Sequence, residues 1–114
     1  VNLSVHITDT ASGVPAANVR IALRRSTVSG WMDLAQGHTG PDGFLAVWSG
    51  ESCGSTFRLE FDLDRYYSIL GSVPLFPRAI TVFRASDSDE DLHLFLLISP
   101  NLLLTYRGSA DEPA

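Results

Sequence analysis

The feature that most constrains this chain is a period of two. Across residues 2–9, Leu3, Val5 and Ile7 alternate with Ser4, His6 and Thr8. Across 19–25, Val19, Ile21 and Leu23 alternate with Arg20, Ala22 and Arg24; across 57–62, Phe57, Leu59 and Phe61 alternate with Arg58, Glu60 and Asp62. Successive side chains of a strand point to opposite faces, so this pattern predicts strands buried on one side only. Shorter segments at 31–37, 44–49, 79–85, 92–98 and 101–107 fit the same reading. Turn chemistry separates them, in TASGVPAAN, TGPDG, SGESCGS, ASDSDED and SPN. One helix is expected within 62–71, with Asp62 or Asp64 as its cap and Gly71 as its stop. Seven to eight short strands and one short helix predict an all-β antiparallel sandwich.

The chain of 114 residues is long enough for one core. A single domain is expected over 1–109, followed by a short acidic tail at 110–114. A net charge of −5, with eight scattered arginines as the basic residues, argues against a nucleic-acid partner. No apolar run approaches the roughly 18 residues that cross a bilayer. The start lacks a basic region followed by an apolar stretch, so no signal peptide is expected, although a first residue other than Met leaves a removed leader open. Cys53 is alone, which excludes an intrachain disulfide and a cysteine metal cluster and makes a reducing, cytoplasmic setting the expectation. In SDSDED, Asp87, Asp89 and Asp91 mimic the start of a calcium loop. Leu92 and Ile98 occupy the positions where that loop needs glycine and glutamate, so a charged hairpin is expected instead. GESCG matches a nucleophile elbow only in letters, because short strands supply no strand-turn-helix for Ser52. Neither a metal nor an organic cofactor is expected.

Two segments depart from one-sided alternation. Residues 92–98 carry Leu92, Leu94, Leu96 and Ile98 on one face and His93, Phe95 and Leu97 on the other, and Leu102, Leu103 and Leu104 are apolar on both. A strand apolar on both faces needs cover on both. The second cover is expected to be another copy of the chain. By parity, His6 and His93 both point away from the core. If their strands share a sheet, both imidazoles lie on one covered face, where desolvation favours neutral rings able to accept or relay a proton.

The stretches LSVHITDTASGVPAANVRIAL, GHTGPDGFL, FRLEFDL, LFPRAITVF and LHLFLLISP, ending in TYRGS, resemble the transthyretin family, and specifically its 5-hydroxyisourate hydrolase branch. The resemblance covers nearly the whole chain, and the Tyr-Arg-Gly-Ser tetrapeptide is its most specific part. It implies a transthyretin-like sandwich assembled as a homotetramer, a dimer of dimers around a channel with sites near its mouths. The implied reaction is opening of a purine-derived cyclic ring by water, without cofactor. Catalysis falls by resemblance on His6, His93 and Ser109; substrate binding falls on Tyr106, Arg107, Gly108 and the position of Phe44. Arg107 can equally tie loops together, and Ser109 can equally close the strand. His38 reads as a turn residue.

Departures accompany the match. Phe44 stands where the family has an arginine, Asp91 where it often has a histidine, and Asn101, Leu102, Leu103 and Leu104 where it has an aromatic-and-glycine approach. The chain also continues past the tetrapeptide as ADEPA. An arginine can hold an anion bidentately and a phenyl ring cannot. Three functions therefore stand side by side: the urate-pathway hydrolase, a relative in specialised metabolism that takes a less anionic ring, and a non-catalytic binding module.

Overall fold

The computed structural model describes residues 1–108; Ser109 and the expected tail at 110–114 lie outside the described residues. Nine strands and one helix follow in order: β1 (Asn2–Asp9), β2 (Val14–Pro15), β3 (Arg20–Thr27), β4 (Gly30–His38), β5 (Phe44–Ser49), β6 (Thr56–Asp62), α1 (Leu63–Ile69), β7 (Arg78–Arg84), β8 (Asp91–Ser99) and β9 (Leu102–Gly108). Each strand expected from alternation is present. The addition is β2, two residues that pair with the end of β1 and are too short to alternate. His38 ends β4, exposed, rather than sitting in the turn.

Two sheets form the sandwich. One runs β4-β3-β6-β7, all antiparallel; the other runs β1-β8-β9, with β5 and β2 sharing the far edge of β1. The expected antiparallel sandwich is present, with one parallel pairing within it, that of β1 and β8. Strands so far apart in the chain have no tight hairpin to impose antiparallel order.

Leu3, Val5 and Ile7 of β1 and Leu92, Leu94, Leu96 and Ile98 of β8 face Ile21, Leu23, Phe57, Leu59 and Phe61, and all are buried. Burying each such side chain contributes about 1.5–3 kcal/mol, so this inner layer dominates stability. Helix α1 forms because Asp62 caps it, its carboxylate accepting the Arg65 backbone N–H at 3.1 Å, and because Leu63 and Tyr67, four residues apart, bury one face. Gly71, at φ +80°, takes the left-handed conformation that ends the turn.

The helix also anchors β1. Tyr66 donates its hydroxyl hydrogen to Asp9 Oδ2 at 3.0 Å, while Asp9 Oδ1 accepts the Ala11 N–H at 3.0 Å, which satisfies a carboxylate that is 2% exposed. Burial first, and then the hydrogen bond to Asp9, push the Tyr66 phenol up to about 12; burial raises Tyr67 as well. A phenol whose folded value lies above its unfolded value stabilises the fold below the unfolded value of about 10. That contribution is lost as pH rises from there through about 12. Denaturant midpoints are therefore expected to fall steeply across this window. Tyr66→Phe should lower stability at neutral pH by about 2 kcal/mol and flatten the alkaline fall. An unchanged alkaline profile in that variant would contradict the assignment.

Candidate active site

The outer face of the β1 sheet is organised in rows set by strand register. The first row is Ser49, Asn2 and Asp91, from β5, β1 and β8. The second is Ala46, Ser4, His93 and Gly108; the third is Phe44, His6, Phe95 and Tyr106, each spanning β5, β1, β8 and β9. Leu97 and Leu104 follow, then Ser99 and Leu102. The face thus grades from polar and acidic, through two imidazoles, to apolar.

The third row is a continuous run of rings. His6 meets Phe44 edge-on at 6.0 Å between centroids and stacks on Phe95 at 5.8 Å. Phe95 stacks on Tyr106 at 5.3 Å. His93, one row over, lies 6.2 Å from His6, 4.9 Å from Phe95 and 5.9 Å from Phe44, with which it is stacked. Phe95 is 3% exposed because its neighbours on the face enclose it. It was expected only as part of a subunit contact; its place at the centre of the site depends on the β1–β8 register.

Each imidazole makes a hydrogen bond beyond the ring contacts. His6 Nε2 lies 2.9 Å from the Asp42 carbonyl oxygen. A carbonyl only accepts, so Nε2 carries the hydrogen, and in the neutral ring Nδ1 is then the acceptor. His93 Nδ1 lies 2.7 Å from Ser4 Oγ, the neighbour directly across the parallel ladder. Ser4 was not singled out in the sequence, since a hydroxyl on the outer face of a strand is commonplace. The available signal was its parity with His6, two residues on.

The Asp42 carbonyl is aimed by a tight turn. Gly43 N–H donates to the Gly40 carbonyl at 2.9 Å, Gly40 N–H donates to the Phe44 carbonyl at 2.9 Å, and Asp42 Oδ1 accepts the Phe44 N–H at 3.1 Å. The Gly43 carbonyl in turn accepts the Ile7 N–H at 2.8 Å, which docks the turn on β1 beside His6. Gly43 sits at φ +75°, and a Cβ there would lie 2.4 Å from the Ile7 carbonyl oxygen. Only glycine permits this approach.

Arg107 does not join the rings. It lies opposite Leu94, whose side chain faces the core, whereas Tyr106 lies opposite Phe95. Its guanidinium donates to Asp89 Oδ1 at 3.1 Å, tying the β7–β8 turn to the end of β9. Asp89 is held below the usual carboxylate range by the Ser86 backbone N–H and then by Arg107. The acidic run is a loop that crosses from one sheet to the other rather than the expected hairpin, because β7 and β8 belong to different sheets, and among the described residues no cluster of three or more His, Cys, Asp or Glu side chains is placed to hold a metal ion. Ser52, 5% exposed, donates to the Ser86 carbonyl and sits against Asp87 Oδ1, each at 3.1 Å, as a loop tie; Cys53 is exposed. Ser109, expected at the site, lies outside the described residues.

The face carries exposed apolar surface: Leu102 and Leu104 are 42% and 48% exposed, and Phe44 and Tyr106 are 36% and 43% exposed. Among the described residues no helix is long and apolar enough to cross a membrane.

Comparison with known proteins places this arrangement among relatives. A family model described as HIUase/Transthyretin family matches residues 3–108. The 5-hydroxyisourate hydrolase of Salmonella dublin is 35% identical over 94% of this chain and 80% of its own length. That of Mus musculus is 33% identical over 94% of each. Among solved structures, Klebsiella pneumoniae 5-hydroxyisourate hydrolase superposes with a TM-score of 0.84 at 30% identity, covering 96% of this chain and all of its own. Sea bream transthyretin in complex with thyroxine superposes at 0.88 and 28% identity over the full length of both.

Gly43→Ala tests how the site is set. The variant is expected to lose about 2 kcal/mol or more of stability in denaturant unfolding, from left-handed strain together with the clash on β1. A loss below about 0.5 kcal/mol, the range of an ordinary surface change, would show that the turn is not locked against β1.

Proposed function

The chain belongs to the HIUase/Transthyretin family, and we propose that it is a hydrolase of the 5-hydroxyisourate type, opening a purine-derived cyclic amide ring with water. The observation that supports this most is the pair of imidazoles 6.2 Å apart on one face, each held by a separate hydrogen bond. That spacing leaves room for a water molecule or a reacting bond to contact both rings. In this reading His6, with its hydrogen on Nε2, takes a proton from water at Nδ1. The resulting hydroxide attacks the ring carbonyl carbon and the carbon–nitrogen bond breaks. His6 then gives that proton to the departing nitrogen, while His93, with Ser4 donating to Nδ1, donates its Nε2–H as a hydrogen bond to the ring carbonyl oxygen. The net change is one water added across one amide bond, and no cofactor is called upon. Phe44 and Tyr106 flank the imidazoles as the candidate substrate contacts, Gly108 leaves room beside His93, and a catalytic role for Ser109 belongs to the same proposal. Arg107 acts structurally through Asp89.

The same proposal includes a cytoplasmic homotetramer, a dimer of dimers. Leu102, Leu104 and Tyr106 form the covered face, and the outer edges of β9 and β7, unpaired among the described residues, are available for strand pairing between copies. Covering the face removes water from the rings and strengthens the hydrogen bonds that orient them.

With freshly generated 5-hydroxyisourate followed by its ultraviolet decay, His6→Ala and His93→Ala are each expected to lower kcat about 100-fold or more. Ser4→Ala should lower kcat about 10-fold with KM little changed, and Ser4→Thr should restore it, because only the orienting hydroxyl is lost and regained. Full rates in both histidine variants would refute the catalytic reading, and full rates in Ser4→Ala would remove the orienting role. Light scattering should find four copies at micromolar concentration, and Leu104→Asp should dissociate them. A monodisperse wild-type monomer would contradict the assembly.

A further inference from the structure

The rows of the outer face carry a charge pattern that bears on which ring the site accepts. Among the described residues, none of the eight arginines lies in these rows. Arg20, Arg24, Arg25, Arg58, Arg78 and Arg84 belong to strands of the other sheet, Arg65 lies on α1, and Arg107 is held by Asp89. The charged group within the rows is an anion. Asp91 precedes His93 by two residues on the same face of β8, and its carboxylate accepts from Asn2 Nδ2 at 3.0 Å. Residues two apart on a strand lie about 6.6 Å from each other, close enough for that carboxylate to oppose a bound anion.

What the face offers instead is aromatic surface. Phe44 and Tyr106 stand at the two ends of the third row, each partly open, with the enclosed Phe95 between them and the imidazoles beside it. A copy of the chain packed on this face would present the same leucines and rings again. From these contacts we infer that the site selects a flat, electroneutral cyclic ureide, stacked on Phe44 beside the two imidazoles, and discriminates against the same ring bearing a carboxylate. Phe44 and Asp91 are the specificity-determining residues. The ring's amide edge supplies the hydrogen bonds to His6 and His93, and its face supplies the area for stacking. This inference rests on the ring-opening reading above for the identity of the site, and it adds the charge class of the substrate.

The test uses two six-membered cyclic ureides that differ in one group: dihydrouracil, which is neutral, and dihydroorotate, which carries a carboxylate. Calorimetric titration of the assembled wild-type protein is expected to show dihydrouracil binding at least about 10-fold tighter. Phe44→Arg should reverse the order, since a guanidinium pairs bidentately with a carboxylate. Asp91→Asn should narrow the difference from the other side without altering the rings, which keeps the test open if Phe44→Arg misfolds. Equal or tighter binding of dihydroorotate by wild type would overturn the inference, as would no binding of either at millimolar concentration. The two proposals fail separately. Inactivity toward 5-hydroxyisourate with the neutral preference intact would sink the hydrolase reading alone. Full activity with a preference for dihydroorotate would sink this one alone.

Discussion

The parallel pairing of β1 with β8 is the contact on which the site depends. Its register sets Ser4 beside His93 and His6 beside Phe95. A slip of one residue would turn every side chain of one strand to the opposite face and separate the imidazoles. The inner face prevents that slip, because Leu3, Val5 and Ile7 are interleaved with Leu92, Leu94 and Leu96 in a layer that excludes water. Moving β1 by one position would place three aliphatic side chains in solvent and three polar ones in the core. The geometry of the proposed chemistry is therefore held by hydrophobic burial on the face that does no chemistry.

A second layer of positioning comes from backbone rather than side chains. The turn at 40–44 is locked to β1 through the Gly43 carbonyl and the missing Cβ of Gly43, and it presents the Asp42 carbonyl to His6. Two residues further on, where β1 ends, Tyr66 of α1 grips Asp9. The strand that bears one imidazole and the serine orienting the other is thus tied down along its second half.

Much of this was legible in the sequence, for a simple reason. Alternation reports which face a side chain takes, and it correctly turned His6 and His93 outward and Leu3 through Ile7 inward. The short helix was readable because Asp62, Leu63, Tyr67 and Gly71 each supply a distinct local signal. Pairing is a different matter. Nothing in residues 2–9 reports that their neighbour lies some 89 positions away and runs parallel, so the Ser4–His93 bond and the central place of Phe95 followed only from register. The Asp42 contact was hidden because it is made by a main-chain oxygen. Arg107 was drawn toward the site by its place in the tetrapeptide, yet its parity with Leu103 and Thr105 already set it on the other side from Tyr106. Two residues of β2 could not show a period at all.

The central claim is that fold and turn hold the two imidazoles in fixed states on one face. Long-range nitrogen–proton spectra of the histidine rings test it most directly, because they report which ring nitrogen carries the hydrogen. The account predicts that His6 has its hydrogen on Nε2, with ring protons close to those of Phe95 and His93. A His6 ring protonated on Nδ1 alone, averaging freely between its two neutral forms, or remote from the other rings would contradict it.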